Sequence, residues 1–205
     1  MNAQGKRSGE TAREYAYRMI REQVISLELK PGEAFNDMEF AAKIGVSRTP
    51  VREAVIQLSE ESRIIEIFPQ RGMRIAPIDV ELVEEARSLR VLLEKQIAGM
   101  CCEMATEEDI KWLQENVGLQ EFYMENSRPE MVMQLDDEMH HKLFMICHRE
   151  LTYGMCQKLA IHYDRIRSLS VNTVKDHTVI EDHKKIIRFI AAHEKENAMA
   201  QMEKH

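Results

Sequence analysis

The stretch Gly45-Val46-Ser47-Arg48-Thr49-Pro50-Val51-Arg52-Glu53 constrains the chain most, because it fixes where one helix ends and where the next begins. Gly45 suits the left-handed residue that closes a helix. Ser47 is an N-cap residue type, whose hydroxyl accepts from the backbone N–H groups that open the following helix. Pro50 fits only a first helical turn, where its missing N–H has no partner to lose. Arg48 and Arg52, four apart, then leave one face of that helix near its N-terminus. A helix-turn-helix presents this end to base edges in the major groove. Two spaced arginines alone more often mark a solvated helix surface, so the flanking residues have to decide.

Upstream, Tyr17, Ile20, Val24 and Leu27 recur at helical spacing as far as Pro31-Gly32, which predicts an amphipathic support helix. Asn36 followed by Glu39 is a capping-box-like start to a short second helix carrying Phe40, Ala41 and Ile44. Downstream, Val51, Val55 and Leu58 form the buried stripe of the third. The period then changes: residues 64–68 (IIEIF) and 73–76 (MRIA) are β-prone runs joined by Pro69-Gln70-Arg71-Gly72, a hairpin signal. Three helices followed by a hairpin make a winged helix-turn-helix.

The stretch LKPGEAFNDMEFAAKIGVSRTPVREAVIQL, continued by FPQRGMRIAP, resembles the DNA-binding domain of the GntR family of bacterial transcription regulators over nearly all of residues 12–77. For the FadR-type branch, the resemblance implies that Arg48 and Arg52 read guanines near the centre of a palindromic operator. It implies also that Gly72, at the wing tip, lets the hairpin enter the minor groove. Arg71 at the same tip suits the negative potential of a narrow groove. Ser47, Thr49 and Lys43 complete the expected DNA-facing set, Lys43 as a phosphate contact. Some members carry a third base-reading arginine at the start of the second helix, where this chain has Met38.

A chain of 205 residues suits two domains, and 44% apolar residues is enough to bury a core. Charge is divided unevenly: residues 1–77 hold 12 Lys+Arg against 11 Asp+Glu (net +1), and residues 78–205 hold 16 against 24 (net −8). Nucleic acid is therefore expected to meet a local patch on the first domain. The boundary falls near Ala76-Pro77-Ile78-Asp79, giving a winged helix-turn-helix over 1–77 and a second domain over 78–205. From Asp79, an N-cap type, apolar spacing is helical over 80–102, 107–126, 129–148, 151–170, 177–192 and 195 onward. Thr106 with Asp109 forms a capping-box-like start, and Pro129 sits at a helix N-terminus. The fold class is mainly α, the second domain an all-α bundle of about six helices.

No apolar run is long enough for a membrane span, and MNAQGKRSGETARE lacks an apolar signal region, so a cytoplasmic protein is expected. Cys101, Cys102, Cys147 and Cys156 have no CxxC spacing and are expected as four reduced thiols.

Inside the second domain, Asp136 and His140 are i and i+4 on one helix face, and His183 and His205 lie on later helices. One carboxylate and three imidazoles make a ligand set for a divalent transition metal. Taken alone the signal is weak, for His141, His148, His162, His177 and His193 show how often histidine fills a surface or core role. LDDEMHHKLF resembles the Asp-x-x-Phe-His-x-x-Leu signature of the FCD domain, the helical effector domain of FadR-type regulators, with Met139 for the usual aromatic. EDHKKIIRFIAAHEKENAMAQMEKH resembles that domain's last two helices. The resemblance places the metal on Asp136, His140, His183 and His205, zinc foremost, with nickel, manganese and iron also fitting the set. It implies further that the pocket accepts small carboxylates. Arg90 is the first candidate for a bidentate carboxylate partner, with Arg165 and Arg167 behind it.

Two functions follow. One is a ligand-responsive transcription regulator that acts as a homodimer on double-stranded palindromic DNA. The other is a metal-dependent enzyme acting on a small organic acid, since a metal with open positions can activate water. No motif supplies a general base beyond the ligands themselves, and a complete winged helix favours the regulator.

Overall fold

Thr11 opens the first helix, α1 (Ala12–Ile25), with a full capping box to Glu14. The computed structural model describes residues 5–173 and 177–205, and the side chains of all of these except 170–173 and 177; His177 therefore lies outside the described side chains. The described residues divide into two units, 5–83 with Ile161–Ile166, and Glu84–Ala160 with the described residues from Arg167 to His205.

In the first unit, α1 stops well before Pro31-Gly32, because Ser26 caps it and Leu27 takes a left-handed φ of 62°. The buried stripe is Tyr15, Ala16, Met19, Ile20 and Val24, while Tyr17 is only partly buried and donates its hydroxyl to Glu61 Oε2 at 3.0 Å. Strand β1 (Ala34–Phe35) is too short for its two residues to have shown a period. Asn36 then caps α2 (Asp37–Ile44) by accepting from the Met38 and Glu39 N–H groups, and Gly45 ends it with φ 73°. Ser47 occupies the N-cap of α3 (Arg48–Ser62), yet its side chain makes no capping bond.

Strands β2 (Ile65–Phe68) and β3 (Gly72–Ile75) form the antiparallel wing, with Phe68 opposite Gly72, and β1 pairs on the far side to give the order β1-β3-β2. Ile20, Val24, Val51, Val55, Leu58, Ile64, Ile75 and Ile161 are fully buried in one cluster. Each such side chain contributes about 1.5–3 kcal/mol of burial.

Among the described residues the second unit is built of helices: α4 (Val80–Met104, whose first turn belongs to the first unit), α5 (Glu107–Glu125), α6 (Pro129–Ile146), α7 (Glu150–Thr173, of which Ile161–Ile166 belong to the first unit), α8 (His177–Ala191) and α9 (Lys195–Lys204). The six helices match the expected bundle. Asp79 Oδ1 accepts from the Glu81 and Leu82 N–H groups, Thr106 forms its capping box with Asp109, and Pro129 stands in the first turn of α6. Helix α5 packs on α6 and α8, and α8 packs on α9. Leu113, Val117, Leu143, Phe144, Ile186 and Ala198 lie in the shared core. Gly99 permits a close approach of α9 to α4, since a Cβ there would meet Met199 Sδ at 2.8 Å. Among the described residues no helix is long and apolar enough to cross a membrane.

Candidate metal centre and nucleic-acid interface

Helix α6 places Asp136 and His140 one turn apart on its buried face, α8 contributes His183, and His205 follows α9 as its C-cap. Their ligand atoms all lie within 4.8 Å of one another. Asp136 Oδ1 is 3.4 Å from His183 Nε2 and 3.9 Å from His140 Nε2, and the Nε2 atoms of His183 and His205 are 3.1 Å apart. The four candidates from the sequence are thus brought together.

The surroundings decide which ring nitrogen faces inward. Gln120 on α5, itself fully buried, donates its amide N–H to Asn116 Oδ1 at 2.8 Å, leaving Oε1 to accept from His183 Nδ1 at 2.9 Å. His183 Nε2 is then the lone-pair atom turned to the cluster. His140 Nδ1 lies 3.0 Å from Glu94 Oε2 on α4, within ion-pair range but off the angle of a hydrogen bond. His140 Nε2 is buried and has no hydrogen-bond partner. A buried imidazole nitrogen without a partner is costly unless something fills that position, and this atom is aimed into a set of hard-borderline donors suited to a divalent transition metal.

Two arginines keep the carboxylates at the centre ionised. Arg167 on α7 reaches Asp136 Oδ2 in a short contact and Asp137 Oδ1 at 3.0 Å. Arg90 on α4 donates to Glu94 Oε1 at 2.8 Å and stands 3.8 Å from Asp136 Oδ2. Burial raises the Asp136 carboxyl, but Arg167, then His140, His183 and Arg90, outweigh it and hold it well below the usual carboxylate range. Burial likewise opposes ionisation of Glu94, and Arg90 and His140 overcome it to hold the carboxyl at about 2. Desolvation pushes His183 well below the ordinary histidine range, and His205 down to about 4, with the other imidazoles adding to both.

Two of the three arginines proposed for an effector therefore border the cluster. Arg165 is a correction: fully buried in the first unit, it donates to the Ala76 and Pro77 carbonyls at 2.9 and 3.5 Å, since its planar guanidinium serves backbone acceptors there. Sequence reading missed Glu94 and Gln120. Glu94 was signalled only by its i,i+4 spacing from Arg90, and a buried glutamine on α5 carries no mark in one sequence. The remaining histidines have other partners: His162 Nε2 faces the Ser62 carbonyl at 2.6 Å, His193 Nδ1 the Cys102 carbonyl at 2.6 Å, and His141 stacks on Tyr153.

The first unit carries an exposed basic edge. Ser47, Arg48, Thr49 and Arg52 are exposed at the start of α3, and Arg71 and Gly72 at the wing tip, where Gly72 has φ 101°. Arg48 Nε donates to the buried carboxylate of Asp37 at 3.0 Å, which sets the direction of its side chain, and Lys43 Nζ donates to Gln23 at 2.9 Å. Arg52 has no ion pair among the described residues. Met38 is exposed at the start of α2, beside this edge in sequence.

Residues 12–75 match the family described as bacterial regulatory proteins, gntR family, and residues 85–205 match the FCD domain. The HTH-type transcriptional repressor RspR of Escherichia coli (strain K12) is 30% identical over 158 residues, covering 77% of this chain and 69% of that protein. The chain belongs to the GntR family and carries an FCD domain. An uncharacterized HTH-type regulator of Bacillus subtilis (strain 168), YdhC, is 25% identical over 89% of this chain and 82% of its own length. The solved structure of E. coli McbR/YncC shares the fold, with a TM-score of 0.77 at 19% identity over 95% of this chain and 94% of that one. A GntR-family chain with an FCD effector domain is a bacterial DNA-binding transcription regulator, and the alternative of a metal-dependent enzyme falls with that assignment.

Proposed function

We propose that this regulator binds a palindromic operator through residues 1–77 and senses a small carboxylate metabolite through a divalent transition metal held by residues 78–205, as a cytoplasmic homodimer. The observation that carries the reading is the convergence of Asp136 Oδ1 with the Nε2 atoms of the histidines, one of them buried without a hydrogen-bond partner. Zinc fits this donor set best, and nickel, manganese or iron also fit. When bound, such an ion supplies a positive centre with open positions for an oxygen ligand. The chain does the rest: Gln120 and Glu94 orient two imidazoles, while Arg167 and Arg90 hold Asp136 by Oδ2 and leave Oδ1 inward. Arg90 and Arg167, each already paired with carboxylates at the cluster, border the position an anionic effector would take and would have to exchange part of that pairing for it.

At the DNA, Arg48 and Arg52 read base edges, Ser47, Thr49 and Lys43 contact phosphate, and Arg71 with Gly72 enters the minor groove. Two-fold operator symmetry calls for two copies. Leu92 on α4 and Leu151 and Met155 on α7, 66%, 88% and 72% exposed, support burial of the helical domain against a second copy.

The test is fluorescence anisotropy on DNA selected from a random pool by the protein, with zinc and a panel of sugar acids and central carboxylates. The reading expects an affinity change for at least one acid that requires zinc and vanishes in His140→Ala, which still binds DNA. An identical response in His140→Ala would contradict it.

A further inference from the structure

Outside the metal centre, a second chemically competent pair lies in the helical unit. Cys101 on α4 and Cys147, the residue that caps α6, are each 1% exposed, and their Sγ atoms are 3.5 Å apart. All four cysteines are free thiols. Cys101 Sγ also approaches the Leu143 carbonyl at 3.4 Å, and Cys147 Sγ the Ile97 carbonyl at 3.6 Å, so both sulfurs are fixed between the same two helices. The hydrogen bond between the thiols, with Arg149 nearby, lowers the Cys147 thiol from its ordinary value, and the same bond with burial raises Cys101. Cys147 is thus the sulfur that reaches the nucleophilic thiolate first.

We propose that Cys101 and Cys147 form an oxidisable dithiol, closed to a disulfide by a small neutral peroxide and reopened by a dithiol reductant. Cys147 thiolate attacks one peroxide oxygen; the O–O bond breaks, leaving Cys147 sulfenic acid and a hydroxide that takes up the thiol proton as water. Cys101 sulfur then attacks the sulfenic sulfur; the S–O bond breaks and a second water leaves with the Cys101 proton. Each sulfur is oxidised by one electron and the peroxide is reduced by two. Both sulfurs are buried, so peroxide enters during local opening, for which the end of α6 at Cys147 is suited.

The bond would stitch the helices that carry the metal centre. Cys101 follows Glu94 by seven residues on α4, and Cys147 follows His140 by seven along α6, so the two contacts run in the same register. Seven residues are about two turns, on the order of 10 Å. Closing the sulfurs from 3.5 Å to a bond of about 2.05 Å draws α4 toward α6 at that distance from His140. This consequence for the metal centre rests on the function proposed above; the thiol chemistry does not.

The experiment treats the full chain with graded hydrogen peroxide, then measures intact mass and maps peptides without reduction. The expected result is loss of two hydrogens with Cys101 and Cys147 peptides cross-linked, reversal by dithiothreitol, and the same cross-link in Cys102→Ser and Cys156→Ser. Oxygen addition at Cys101 or Cys147 without a cross-link, a bond through Cys102 or Cys156, or thiols that react only after denaturation would each overturn the proposal. Zinc titration of the oxidised and reduced forms reads the coupling separately, so its failure leaves a mapped cross-link standing and counts only against the link to the metal centre.

Discussion

His183 Nε2 and His205 Nε2 lie 3.1 Å apart, although twenty-two positions separate them and they come from different helical elements. Burial keeps both imidazoles neutral to lower pH than usual, His205 to about 4 and His183 well below its ordinary value. In the unfolded chain both take up protons near pH 6.5. The unfolded state then binds more protons than the folded one below that pH, so stability of the metal-free protein is present above about 6.5 and is lost as pH falls toward 4. Thermal melts of chelator-treated protein should show Tm falling across that window, with a smaller fall in His205→Gln. A Tm flat from pH 7 to 5 would contradict the buried, neutral pair.

The same depression bears on metal affinity. The sequence alone points to a loss as pH drops through the histidine range, about 6.5. With His183 and His205 already resisting protonation, protons compete less at those two ligands, and the loss of zinc affinity should extend below that range. Competition against a chromophoric chelator at graded pH measures this.

Orientation of the ligand rings supplies a third prediction. Replacing Gln120 with Leu removes the acceptor of His183 Nδ1, and replacing Glu94 with Leu removes the carboxylate beside His140 Nδ1. Each should weaken zinc by about 10–100-fold. His140→Ala, which deletes a ligand, should cost more. His141→Ala, whose ring stacks on Tyr153 outside the cluster, serves as the control. Equal zinc affinity in Gln120→Leu and the parent chain would show that the amide does not position the ring.

Much of this was legible in the residues. Gly45, Asn36, Thr106, Asp79 and Pro129 marked helix ends where the structure has them, because capping is local chemistry that a short window contains. Asp136 and His140 shared a face for the same reason. Leu27 misled: its spacing continued the α1 stripe, but the chain turns at Ser26 and Leu27 is left-handed. Strand β1 depends on pairing with β3, and the burial of Arg165 on the Ala76 carbonyl depends on residues far away in sequence. Glu94 and Gln120 belong to this second class, being functional only through the histidines they face.

At the DNA interface, Arg52→Ala should cost roughly 1–3 kcal/mol of specific binding and relax base preference. Asp37→Ala should mimic part of Arg48→Ala, since Asp37 aims that guanidinium. Lys43→Ala should weaken all sequences alike and lower the salt slope by about one. Anisotropy on specific and scrambled duplexes at several salt concentrations separates these cases, and unchanged specificity in Arg52→Ala would contradict the proposed docking.

Assembly is tested on the exposed apolar pair of α7. Leu151 and Met155 are one turn apart and largely exposed in the single chain. Leu151→Glu with Met155→Glu should shift a dimer toward monomer in sedimentation velocity while preserving helical content. A parent chain that sediments as a monomer at micromolar concentration, with and without DNA, would contradict the two-copy operator complex.

Metal binding by Asp136, His140, His183 and His205 is tested by native mass spectrometry of protein purified without chelator. The expected result is about one divalent ion per chain, lost in His140→Ala, kept in His141→Ala, and accompanied by a Tm increase on loading. A parent chain that carries no metal, takes up none on dialysis against zinc and melts identically with and without chelator would contradict it.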